Sequence, residues 1–76
     1  MATQYWLLKL KGERSVDEIQ SAVGHGGGLV VRVHSEGGET HVYFAGEKAA
    51  TAEVSKAFKV AEKPAKVSAE EVTRLG

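Results

Sequence analysis

The pattern of this chain predicts an α+β sandwich: an antiparallel sheet with two helices packed on one of its faces. Three observations carry that reading. The stretch Leu29 to Ala45 (LVVRVHSEGGETHVYFA) reads as a β-hairpin, because two runs rich in β-branched and aromatic residues flank Gly37-Gly38, the pair that a tight two-residue turn needs. An alternating apolar run, Gln4 to Lys11, comes before it. Stretches with helical apolar spacing stand on either side of the hairpin, so the order is β-α-β-β-α, completed by an edge strand and a short C-terminal α-helix.

Taken in order, Gln4 to Lys11 sets Trp6, Leu8 and Leu10 on one face and Tyr5, Leu7, Lys9 and Lys11 on the other. Even the more polar side begins with Tyr5 and Leu7, which places this strand inside the sheet. Gly12 ends it. Ser15-Val16-Asp17-Glu18 fits a capping box, and Val16, Ile19, Ala22 and Val23 form the apolar stripe of a first helix that Gly24 should stop. The run Gly24-His25-Gly26-Gly27-Gly28 then reads as a flexible connection. In the hairpin, a turn at Gly37-Gly38 sets Glu36 opposite Glu39, Ser35 opposite Thr40, His34 opposite His41, Val33 opposite Val42, Arg32 opposite Tyr43 and Val31 opposite Phe44. After Gly46, the residues Ala50, Val54, Ala57 and Phe58 mark the buried stripe of a second helix.

The pattern fixes residues 59–76 least. Either Phe58-Lys59-Val60-Ala61 or Ala65-Lys66-Val67 supplies the last strand, which Pro64 confines to an edge. Ser68-Ala69-Glu70-Glu71 is a second capping box, opening a short helix that carries Val72 and Leu75. With that fourth strand the whole is the split βαβ arrangement of a ferredoxin-like sandwich. Its helix-covered face would hold Trp6, Leu8, Leu10, Val31, Val33, Val42 and Phe44. Its open face would show Tyr5, Leu7, Lys9, Lys11, Val30, Arg32, His34, His41 and Tyr43.

Composition narrows the function. At 76 residues the chain reads as a single domain, 1–76, near the small end of what folds unaided, and without cysteine it has neither disulfides nor thiolate zinc sites to help it. Ten basic and ten acidic residues cancel, which removes the footprint of a generic nucleic-acid or membrane-surface binder. No apolar run approaches the ~20 residues of a membrane span. The opening MATQYWLLKLKGE has no basic region ahead of its apolar run, so the expected location is cytoplasmic.

Each candidate chemistry meets an objection. His25-Gly26-Gly27-Gly28 matches in letters an esterase oxyanion loop, but there is no GxSxG elbow to supply the serine. It is no phosphate-cradling loop either, since it leaves a helix and enters a strand. His34 and His41, with Cβ atoms ~5 Å apart, are candidates for a divalent-metal pair, with His25 as a third ligand from the loop and Glu36 and Glu39 nearby. Tyr5 and Tyr43, ringed by Lys9, Lys11 and Arg32, could stack bases. The run His41-Val42-Tyr43-Phe44-Ala45-Gly46, followed by an alanine-rich helix, resembles the third strand and second helix of RNA-recognition motifs over about a quarter of the chain. No basic-Gly pair precedes the aromatics, only Tyr43 stands at a stacking position, and the likeness is one of shape.

The same strip, Tyr5, Leu7, Val30, Tyr43 and Ala45, is more apolar than a monomer usually leaves bare. Either the terminal helix or a second copy should cover it. No nucleophile is in evident company with a base, and one such small domain should lack a pocket of the usual ~300 Å³. The expectation is therefore a non-catalytic interaction module without cofactor or resident metal, acting through Tyr5, Leu7, Lys9, Lys11, Arg32, His34, His41 and Tyr43 on the open sheet face. Its partner would be itself or another protein. A single-stranded RNA-binding module and a metal-responsive protein using His34 and His41 are the alternatives, and no membrane partner is expected.

Overall fold

The computed structural model describes residues 3–58, 60 and 63–74. Along them run β1 (Tyr5–Lys11), α1 (Val16–His25), β2 (Leu29–Glu36), β3 (Glu39–Ala45), α2 (Lys48–Ala57), β4 (Ala65–Val67) and α3 (Ala69–Arg74). The protein is α+β, and its strands form one open antiparallel sheet in the order β2-β3-β1-β4. β1 is interior, as apolar residues on both its faces require: β3 pairs with its whole length and β4 with Tyr5, Trp6 and Leu7.

α1 starts where the capping pattern places it. The Ser15 Oγ accepts from the Glu18 amide at 3.3 Å, while the Ser15 hydroxyl donates to the Glu18 carboxylate at 3.1 Å. Ile19, Ala22 and Val23 are buried, whereas Val16, at the first helical position, stays 55% exposed. The helix runs past Gly24 and is capped by Gly26, because the left-handed residue is Gly27, at φ +81°. The amides of Gly26 and Gly28 both bond the Val23 carbonyl and that of Gly27 bonds the Gly24 carbonyl, so the helix end is satisfied within the glycine run.

α2 buries Ala50, Thr51 and Val54, and Thr51 is tolerated there because its hydroxyl donates to the Lys48 carbonyl at 2.6 Å. Ala57 is exposed, contrary to the expected stripe, because Thr51 takes that side of the helix inward. Phe58 caps the helix and packs, half-buried, on the core.

One cluster joins Leu8 and Leu10 of β1, Val42 and Phe44 of β3, Ile19, Ala22 and Val23 of α1, and Ala50 and Val54 of α2. Both longer helices therefore cover the same sheet face. Thr40 is the polar member of that face. Fully buried, it donates to the Gly12 carbonyl at 2.7 Å and accepts the Arg14 amide at 3.1 Å, tying the β1–α1 connection to β3.

The glycine run is not a loose tether. A Cβ on Gly26 would stand 2.4 Å from the Ala50 Cα, and one on Gly28 would stand 2.7 Å from the Val23 Cγ1. The first turn of α2 thus lies directly on this backbone, and the Gly46 amide fastens the same corner to the Gln4 carbonyl.

In the tail, Ala65–Val67 is the edge strand, while Val60 makes a separate bridge to Leu10. Lys59 and Ala61, in the other expected strand, lie outside the described residues. α3 begins at the expected cap, with the Ser68 Oγ accepting the Glu71 amide at 3.2 Å. Val72 is buried but outside the main cluster, and Leu75 lies outside the described residues. Among the described residues no helix is long and apolar enough to cross a membrane.

Candidate functional site

Of the nine residues expected on the open face of the sheet, opposite α1 and α2, all but Val30 are there. The hairpin keeps the expected register from Glu36↔Glu39 to Arg32↔Tyr43, then breaks. Val30, not Val31, stands opposite Phe44, and Leu29 stands opposite Ala45. A β-bulge puts one extra residue into β2, which resets the alternation and exchanges the two valines. Val30 packs against the core while Val31 is 48% and Leu29 64% exposed. The expected assignment of Val31 to the covered face and Val30 to the open one is reversed. The Gln20 side chain accepts the Val30 amide at 3.0 Å, holding the start of this edge strand beside α1.

Directly paired residues share a face, so the pairing arranges the open side in rows. Leu29, Ala45, Tyr5 and Val67 form the first, and Arg32, Tyr43, Leu7 and Ala65 the second, with Val31 beside Arg32. His34, His41 and Lys9 form the third, and Glu36, Glu39 and Lys11 the last. Half of the face is therefore apolar and half ionisable. Tyr5 and Tyr43 are diagonal neighbours, since Tyr43 is paired with Leu7 and Tyr5 with Ala45. Within the apolar half, the Arg32 Nε is buried and has no hydrogen-bond partner among the described residues.

The ionisable half is a connected group. The imidazole centroids of His34 and His41 are 5.1 Å apart with the rings tilted by 34°. The Glu36 Oε2 lies 3.5 Å from both the His34 Nε2 and the His41 Nδ1. The Glu39 Oε1 lies 3.1 Å from the His41 Nε2. Two carboxylates that face each other across the turn thus both lie against imidazoles. His25, expected as a third ligand, is exposed in the last turn of α1 and takes no part; Glu36 holds that place.

One expectation about shape fails. An open cleft of about 890 Å³ lies between the start of β1, the glycine run and the first turn of α2, with Gln4, Gly26, Gly27, Gly46, Lys48 and Lys66 among its walls. It lies on the outer surface, between elements, which counting interior volume misses. Thr3 and Glu47 complete its lining.

No protein-family model matches the chain, and neither a curated protein nor a solved structure matches it at a significant level.

Proposed function

We propose that this protein is a small non-catalytic interaction module that associates with a second copy of itself through the apolar half of its open sheet face. The observation that carries this reading is the exposure of Leu29, at 64%, in the row of Ala45 and Tyr5, and of the bulge residue Val31, at 48%, next in chain to Arg32 in the row of Tyr43 and Leu7. Such a contiguous apolar strip costs free energy in water and regains it on contact with a like surface. The last row favours a second copy as the occupant, being acidic at Glu36 and Glu39 and basic at Lys11. A two-fold axis parallel to the strands lays apolar rows on apolar rows and turns Lys11 of one copy toward Glu36 of the other. A domain this small also gains core by pairing.

We read the fold as ferredoxin-like. In support, β1 and β2 run parallel with β3 between them, β4 flanks β1, and α1 and α2 share a face, which is the connectivity of a split βαβ sandwich. A cysteine-free chain suits a cytoplasmic setting.

Sedimentation velocity from low micromolar to near millimolar chain tests the association. The expected result is a concentration-dependent shift to dimer that Val31→Glu abolishes while the circular dichroism spectrum is retained. A monomer at every concentration would overturn it. Shifts at Tyr5, Arg32 and Tyr43 on adding a mixed single-stranded oligonucleotide, without dimerisation, would replace it with a nucleic-acid reading, which the unpartnered Arg32 Nε beside Tyr43 favours.

A further inference from the structure

We propose that His34, Glu36 and His41 form a binding site for a divalent transition-metal ion, with zinc the ion that the donor set suits best. The register alone assembles the site. His34 and Glu36 are two apart on β2, Glu39 and His41 are two apart on β3, and direct pairing puts all four side chains on the open face. No loop has to fold over to complete it.

The spacing fits a tetrahedral ion. Metal–donor bonds of ~2.0–2.1 Å set tetrahedral donors ~3.4 Å apart. Glu36 Oε2 stands 3.5 Å from one nitrogen of each histidine, and the donor atoms of the three residues all lie within 4.8 Å of one another. To share an ion, Nε2 of His34, Nδ1 of His41 and one Glu36 oxygen must draw together from within 4.8 Å to that spacing.

The surroundings fit as well. With the His41 Nδ1 turned to the ion, its Nε2–H donates to Glu39 at 3.1 Å. That carboxylate–imidazole–metal order fixes the tautomer and ring angle that ligation requires. Side-chain exposures of 12% for His41, 35% for His34 and 69% for Glu36 make a partly sheltered site with one side toward solvent, where water completes the coordination. Two imidazoles with one carboxylate favour zinc and its late first-row neighbours over magnesium or calcium, which want oxygen donors. The consequence is a clamp between β2 and β3 next to the turn, in a chain with no disulfide. The site uses the ionisable rows, and because Glu36 is also the residue that the proposed pairing turns toward Lys11 of a second copy, the metal is tested on the monomer.

The test is calorimetric titration of the full metal-free chain with zinc chloride, at a concentration where it sediments as a monomer. One zinc per chain is expected, with affinity falling at least about tenfold in each of His34→Ala, His41→Ala and Glu36→Gln. Glu39→Gln should weaken binding about 10–100-fold without changing the stoichiometry. His25→Ala should bind as the parent does. Long-range nitrogen–proton NMR should show zinc moving the His41 Nδ1 and the His34 Nε2. Unchanged zinc affinity in the conservative Glu36→Gln and in His34→Ala, both with parental circular dichroism, would overturn the site. So would a loss in His25→Ala equal to that in His41→Ala.

Discussion

Replacing Gly26 by alanine reverses sign according to what the glycine run is. In a flexible connection, Gly→Ala at an allowed backbone conformation stabilises by about 0.4–1 kcal/mol through the unfolded state. Gly26 has φ −90° and ψ 5°, so its backbone would accept alanine. The neighbours would not. The added methyl would meet the Ala50 Cα at 2.4 Å, its amide nitrogen at 3.0 Å and its Cβ at 3.1 Å, all in the first turn of α2. Backbone cannot swing aside as a side-chain tip does, so α2 must shift off α1, at a cost of about 1–3 kcal/mol. For a domain of this size that corresponds to a fall in Tm of roughly 5–20 °C. Gly24 provides the internal control, because a Cβ there meets only the Gln20 Nε2, at 3.5 Å. Gly24→Ala, within the helix, should stabilise by about 0.5–1 kcal/mol. Urea unfolding followed by circular dichroism measures both. A Gly26→Ala variant as stable as Gly24→Ala would refute the packing of α2 on the glycine run.

Thr40→Val leaves the Gly12 carbonyl and the Arg14 amide without their partner and should cost about 1–3 kcal/mol in the same unfolding assay, with Thr40→Ser retaining most of the stability. Val30→Ala should cost about 1–2 kcal/mol and Val31→Ala less than about 0.5 kcal/mol, the opposite of what an unbroken hairpin would give. Zinc held at a hundredfold excess over its dissociation constant should raise Tm by roughly 10–20 °C in a thermal melt, and a melt unmoved by zinc would argue against the clamp.

Much of this architecture can be read from residues whose neighbours in sequence constrain them. Arg32-Val33-His34 and His41-Val42-Tyr43 set a valine between polar or amphipathic neighbours on each strand, so a slip would bury histidines; that part of the register is fixed by chemistry alone. Leu29-Val30-Val31 carries no alternation, and any of its three side chains would be accepted inside. The bulge falls in that run, and the loss of period was its only signal. The glycine run eludes local reading for a different reason. What makes Gly26 necessary is Ala50, which arrives only when α2 folds back, and Gly28 is hemmed in by Val23 of α1, the Ala45 carbonyl of β3 and Ala50 together. Glu36 and Glu39 are legible as a pair across the turn, but pairing rules describe them as repelling. Their turn toward His34 and His41 depends on rotamers that spacing does not encode.

The most direct test of the account is methyl relaxation by a soluble paramagnetic chelate, recorded on dilute and concentrated protein. Leu29 and Val31 should broaden strongly when dilute and become shielded when concentrated, while Val30 and Val42 stay protected throughout. Broadening of Val30 with Val31 shielded in the dilute sample would contradict the bulge, and Leu29 and Val31 equally broadened at both concentrations would contradict association through this face.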